Sequence, residues 1–216
     1  MFKGIFKFFG SLFVFVALAL VFASVFDSNL VDSFPEYKND THKIIVDATY
    51  DLIEEQTGLN KEQINELCDS RGEDVCDDLP DESINEDSAV QVFENKLKET
   101  IYLARSGKNL GIFLLVVGLA LFILGIGVKK GLSDFFLSAF ISSLFNYLFY
   151  RFALTGIVNS LLRNMISSSG QFLLDDVYNI AIAWINSAVV ETVTLIIVAG
   201  VVSLVIGVVL RFVGRK

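Results

Sequence analysis

Two long apolar runs constrain the fold of this chain more than any other feature of its sequence. They cover Phe8–Phe26 and Leu110–Val128. A helical run of about twenty apolar residues is long enough to cross a hydrocarbon core of about 30 Å. The whole chain of 216 residues is 53% hydrophobic with a mean hydropathy of +0.59, which is unusually apolar for a soluble domain. The sequence therefore predicts an integral membrane protein that sits in a lipid bilayer.

The segment between the two runs, Asp27–Lys108, is strongly acidic. It holds 21 Asp and Glu against 8 Lys and Arg, whereas the rest of the chain holds 4 acidic and 9 basic residues. Nucleic acids and anionic lipid head groups both repel such a segment, so nucleic-acid binding is excluded. Its surface is either a solvated face or a docking face for a basic partner or for divalent cations. The candidate docking residues are Asp77, Asp78, Asp81 and Glu82.

Both cysteines, Cys68 and Cys76, lie in this acidic segment. Two cysteines that close a short loop in an exported segment predict one disulfide bond, with free thiols in a reducing compartment as the alternative. The lack of a nearby histidine argues against a zinc site. The surrounding acidic residues do not follow the alternating pattern of an EF-hand loop. We therefore predict no metal site and no cofactor.

The segment 1–26 is predicted to be an uncleaved first transmembrane helix. Its apolar run is longer than the 7–15 residues that are usual in a cleaved signal peptide, which is the alternative. Lys3 and Lys7 precede the run and favour a cytoplasmic start by the positive-inside rule. The segment 27–108 is then an extracytoplasmic helical insert.

Turn and cap residues divide this insert. Residues 27–40 have no hydrophobic periodicity and contain Pro35, so an extended linker is expected there. A helix is expected from Thr41. Gly58 would end this helix in a left-handed conformation, and Asn60 would cap a second short helix together with Gln63.

Three more spans are predicted after the insert. The helix that begins after Ser83 is expected to run unbroken into the second span, 109–130, and to end at Lys130. Ser133 and Asp134 are expected to cap the third span, 131–158. A polar loop and an amphipathic helix would occupy 159–190 on the outer side, with Trp184 in an interfacial aromatic belt. The fourth span with its basic cytoplasmic tail is assigned to 191–216.

Small residues recur every seven positions along three of these spans. Since lipid tails are as apolar as leucine, membrane helices associate through close backbone approach, which small residues permit. A period of seven is also typical of left-handed helix pairs. The predicted helix-packing residues are Gly10, Ala17 and Ser24, then Gly111, Gly118 and Gly125, then Gly200, Gly207 and Gly214. Continued backward, the last register reaches Asn186 and Asn179. Either this is bundle packing, or one stripe serves a homo-oligomer.

The third span carries a candidate polar face. Its members are Ser138, Ser142, Asn146 and Tyr150, spaced by four, with Arg151 beside them. Polar residues inside a membrane suggest a solute or ion path. Alternatively, the hydroxyls bond to their own helix and the asparagine joins two helices. Arg151 is close enough to one end to reach the interface, where Glu191 could pair with it or with Arg163.

Motifs for catalysis are missing from the chain. It contains no HExxH, GxSxG or phosphate-binding glycine loop, and its single histidine, His42, lies in the acidic segment. We therefore predict that the protein is not an enzyme.

The prediction as a whole is an all-α protein. It is a four-transmembrane-helix bundle with a helical extracytoplasmic insert between helices 1 and 2, and with outward extensions of helices 2 and 4. Both termini would be cytoplasmic in the plasma membrane, and the compact layout favours a prokaryotic source. The predicted function is a structural, scaffold or accessory subunit that binds a protein partner through the acidic outer surface. The alternative is a channel or transporter subunit that uses the polar face of the third helix.

Overall fold

The computed structural model of the protein describes residues 2–64, 66, 89–166 and 173–213. Within these ranges the chain is helical except at 58–60 and 127, and no strand occurs among them. The helices are α1 (Phe2–Thr57), α2 (Ala89–Ile126), α3 (Val128–Leu148), a π-helical segment (Phe149–Leu154), α4 (Thr155–Ile166) and α5 (Leu173–Val213). The prediction of an all-helical protein is therefore confirmed for the described residues.

Four of these helical stretches are long and apolar enough to cross a membrane. They are Phe2–Asp40, Arg105–Ile126, Val128–Ser160 and Tyr178–Val213. Successive spans run antiparallel. α1 packs against α2, α3 and α5, and α3 packs against α2 and α5. The result is a four-helix bundle, consistent with the predicted multi-pass integral membrane protein.

α1 is one continuous helix, so the extended linker expected at 27–40 is wrong. Pro35 lies inside this helix, where its ring lacks the N–H that would reach the Val31 carbonyl. The helical turn before Pro35 is stabilised by the side chain of Ser33. The Ser33 hydroxyl donates to the Asn29 carbonyl at 2.7 Å and to the Leu30 carbonyl at 3.3 Å. Packing against α5 in this region outweighs the low helix preference that the sequence suggests.

The outer end of α1 follows the predicted turn chemistry. Gly58 adopts φ +68 and its N–H donates to the Glu54 carbonyl at 2.7 Å. Asn60 and Gln63 then cap each other reciprocally, at 2.9 and 3.1 Å. The short helical turn at 61–64 folds back, and Ile64 is buried with Val46 and Tyr50 of α1.

The turn between α2 and α3 differs from the prediction. α2 does not continue to Lys130 but ends at Ile126, because Gly127 takes φ +88 and breaks the helix. α3 begins at once at Val128, so Ser133 and Asp134 are not its cap. The turn can be this tight because Gly131 has no Cβ. A Cβ at this position would lie 2.7 Å from the Phe122 carbonyl oxygen.

The third span also ends differently from the prediction. The helix changes to π geometry over Phe149–Leu154 and then continues as α4 to Ile166, so residues 159–166 are helical rather than a loop. The Thr155 hydroxyl donates to the Tyr150 carbonyl, five residues back, at 3.4 Å.

Charged side chains bound the apolar part of the bundle at two levels. In α1, Lys7 and Asp27 are separated by about 20 residues, or about 30 Å of helix, which matches a hydrocarbon core. The members at one level are Lys7, Asp134 and Arg211, and those at the other are Asp27, Arg151 and Glu191. A salt bridge of 2.9 Å joins Lys7 to Asp134, so the first level is set by contact between α1 and α3. We call these levels the Lys7 level and the Asp27 level.

Candidate functional site in the bundle core

The closest approach in the bundle lies between α1 and α2, where glycines face each other. A Cβ on Gly111 would lie 2.8 Å from the Ala17 carbonyl oxygen, and one on Gly118 would lie 3.2 Å from the Gly10 carbonyl oxygen. Gly10 also leaves room for the Phe122 ring, 3.0 Å from where its own Cβ would be. Larger residues at these positions would therefore push the helix backbones apart.

Glycines of α5 make a similar contact with α3. A Cβ on Gly200 would lie 3.3 Å from the Ser143 Cβ, and one on Gly207 would lie 3.2 Å from the Leu137 nitrogen. Beside this contact the Ser133 hydroxyl donates to the Gly207 carbonyl at 2.9 Å. Ser133, which the sequence assigns to a helix cap, thus joins two helices.

All the predicted helix-packing residues within the described part of the chain are buried. At Gly125 the neighbour is Phe6, whose Cβ lies 2.7 Å from the position a Cβ would take. Gly214 lies outside the described residues. The extension of the last register is wrong, because Asn179 and Asn186 are exposed. An α-helix drifts by about 20° per heptad relative to a seven-residue repeat, so three heptads turn this face by about 60° from the Gly200–Gly207 stripe that contacts α3.

The candidate polar face of α3 forms hydrogen bonds within its own helix. The Ser142 hydroxyl donates to the Ser138 carbonyl at 2.9 Å, and the Asn146 amide donates to the Ser142 carbonyl at 2.8 Å. Both side chains are buried. These bonds satisfy polar groups locally, which is the packing alternative that the sequence left open.

Tyr150 is buried in an aromatic and aliphatic cluster. It packs with Phe22 and Ile196, and its ring centroid lies 5.6 Å from that of Phe26. This cluster closes the Asp27 end of the polar face with apolar side chains.

Arg151 is exposed on the outside of the bundle and is thus separated from the buried members of the polar face. Glu191 is exposed as well, and no ion pair joins the two among the described residues. Of the two possible partners of Glu191, Arg151 therefore does not form the pair.

Sequence reasoning missed the polar contacts between α1 and α5. The Asn29 amide donates to the Thr192 hydroxyl at 3.2 Å, and the Trp184 indole N–H donates to the Leu30 carbonyl at 2.8 Å. The Trp184 ring also lies 5.4 Å from that of Phe34, so this residue joins two helices instead of only marking an interfacial belt. The sequence did contain a signal for this contact. Trp184 lies at four-residue spacing with Ala188, Thr192 and Ile196, which are all buried.

Several predicted residues lie outside the described part of the chain. They are Cys68 and Cys76, with their predicted disulfide, and the acidic group Asp77, Asp78, Asp81 and Glu82. Among the residues that are described, no group of three or more His, Cys, Asp and Glu side chains is placed to hold a metal ion.

Comparison with known proteins finds no match to a family model, to a curated protein or to a solved structure.

Proposed function

We propose that the protein is a non-enzymatic membrane scaffold or accessory subunit that binds a basic protein partner through its acidic outer segment. One observation carries the proposal. Ser142 and Asn146 of α3 are buried and bonded to their own backbone, while the surplus charge of the chain lies in the segment outside the bundle. The chemistry available for recognition is thus electrostatic and lies outside the membrane.

Long helices support such a role. α1 continues about 30 residues beyond Asp27, and α2 and α5 both begin beyond the Asp27 level. Because these helices also cross the membrane, a partner held on the outer segment would be anchored rigidly to the bundle.

The orientation is part of the proposal. Lys3, Lys7, Lys129, Lys130 and Arg211 lie at the Lys7 level, which the positive-inside rule assigns to the cytoplasm. The acidic segment is then extracytoplasmic.

Co-purification of the full chain from gently solubilised native membranes tests the proposal. Wild type should retain a partner in fixed stoichiometry. The variant Asp77→Asn/Asp78→Asn/Asp81→Asn/Glu82→Gln should retain less of it, and rising salt should release it because exposed charges are screened.

A control variant removes the same number of acidic charges elsewhere: Asp40→Asn/Glu54→Gln/Glu62→Gln/Glu66→Gln. These four side chains are exposed. Equal loss in both variants would indicate general charge rather than a docking face. If wild type purifies alone and its liposomes conduct ions or solutes, the channel alternative replaces this proposal.

A further inference from the structure

An apolar groove opens on the lipid-facing side of the bundle between α3 and α5. Its cavity volume is about 210 Å³, and its lining is almost entirely apolar. The groove is lined by Leu144 and Tyr147 of α3 and by Ile197 and Val201 of α5, among others. Leu144, Ile197 and Val201 are exposed, so the groove is open from the side to the hydrocarbon of the bilayer.

A cation lies beyond one end of this groove. Arg151 follows Tyr147 by four residues, about one turn of the helix, where the chain enters the π-helical segment Phe149–Leu154. Arg151 is exposed and has no ion-pair partner within the described residues. The groove and the arginine therefore form one surface, apolar along most of its length and positive at the end.

The depth of Arg151 matches the position of a lipid head group. Its neighbour Tyr150 packs beside Phe26, after which α1 changes from apolar residues to Asp27. The groove extends from this level toward the middle of the bundle. A phospholipid has the same order of chemistry, with an anionic phosphate at the interface and an acyl chain below it.

We propose that this surface binds one phospholipid, with its acyl chain in the α3–α5 groove and its phosphate on Arg151. A guanidinium donates two parallel hydrogen bonds to a phosphate, which makes it a specific anchor rather than a general attraction. Glu191 does not oppose the phosphate. It precedes Val198 by seven residues and so lies on the same face of α5 as Val198, which does not line the groove. The inference does not depend on the proposed scaffold function.

A second copy of the chain fits the same surface less well. Two copies related by a two-fold axis along the membrane normal would bring both Arg151 side chains to one level at the interface. Like charges placed opposite each other repel, and neither arginine would gain an anion.

Native mass spectrometry of the purified full chain tests the inference. The protein is titrated with dioleoylphosphatidylglycerol and, separately, with dioleoylglycerol, which has the same chains but no phosphate. Wild type should bind one phosphatidylglycerol about tenfold more tightly than the diacylglycerol, the effect expected of one charge-assisted contact. Arg151→Gln should abolish this preference, and Arg151→Lys should keep part of it.

Filling the groove with a larger side chain is a second, independent test of the inference. Val201→Trp should lower binding of both lipids, whereas Val202→Trp, an exposed position outside the groove lining, should leave binding as in wild type. If Arg151→Gln and Val201→Trp both bind phosphatidylglycerol as wild type does, the inference is overturned. It is also overturned if a dimer forms that Val201→Trp dissociates and that excludes the lipid.

Discussion

At the scale of single residues, the bundle depends on positions where no side chain is allowed. Gly111, Gly118, Gly125 and Gly131 all sit where a Cβ would come within 3.2 Å of a neighbouring atom. At Gly111 and Gly131 the nearest atom belongs to the backbone of another helix, which moves only with the whole helix. Small size at these positions therefore fixes the distance between helix axes.

Substitution of Gly111 by alanine tests whether this glycine serves close helix packing, as distinct from its effect on helix propensity. The new methyl group would meet the Ala17 carbonyl, so Gly111→Ala should lower the free energy of unfolding by about 1–3 kcal/mol, as overpacking does. Gly107→Ala is the matched control, because Gly107 lies in the same helix with no atom within 4 Å of a Cβ. It should be neutral or stabilising by up to about 1 kcal/mol.

Equilibrium unfolding in mixed detergent micelles measures both variants. Equal stability changes at Gly111 and Gly107 would mean that close approach of α1 and α2 is not what these glycines provide.

At the scale of elements, the main irregularity is the π-helical segment Phe149–Leu154. A π turn holds one more residue than an α turn, because its hydrogen bonds join residues five apart. It leaves Tyr150 buried among Phe22 and Ile196, whereas Arg151 is exposed. Within this one segment the helix therefore passes from the buried core to the charged level.

Deletion of one residue from this segment should be tolerated. Removing exposed Phe152 should turn the π segment into ordinary α-helix and keep the helix content and stability close to wild type. Removing exposed Phe145, within the α-helical part, should rotate the C-terminal remainder of the helix by about 100° at 3.6 residues per turn and displace Tyr150. The second deletion should cost about 3–5 kcal/mol, comparable to truncating a buried aromatic residue.

Circular dichroism with thermal unfolding compares the two deletions. A Phe152 deletion as damaging as that of Phe145 would show that the extra residue is itself required for packing.

Sequence reasoning reached the elements whose signal is local. The apolar runs predict the four candidate spans, and Gly58 with the Asn60–Gln63 pair predicts the turn after α1. Sequence reasoning failed where tertiary contacts determine the structure. Pro35 and the polar residues around it suggest a linker, but the contacts of Asn29 and Trp184 with their partner helices come only with the assembled bundle.

In the candidate site, too, local spacing predicts one part and tertiary contacts determine the rest. Spacing alone groups Ser138, Ser142, Asn146 and Tyr150, but it does not reveal whether their polar atoms meet water or their own helix. At Tyr150 the outcome depends on Ile196 and Phe22, which lie far away in sequence and pack against it from two other helices.

At the scale of the whole molecule, the central feature is a core of buried side chains between two charged levels. Lys7, Asp134 and Arg211 bound it at one level, and Asp27, Arg151 and Glu191 bound it at the other. A dry core favours an anchoring role, whereas a water-filled face on α3 would favour passage of a solute. Asn146 is the residue that distinguishes the two, since it is 6% exposed and lies between these levels.

The rate at which a water-soluble cationic thiol reagent modifies Asn146→Cys measures this most directly. Cys68 and Cys76 are first replaced by serine, and Lys43→Cys, at an exposed position beyond the bundle, serves as the reference. A dry core predicts no detectable modification at position 146 in membranes during the time that position 43 is modified completely. Modification of both positions at similar rates would contradict a dry core and place water along the polar face of α3.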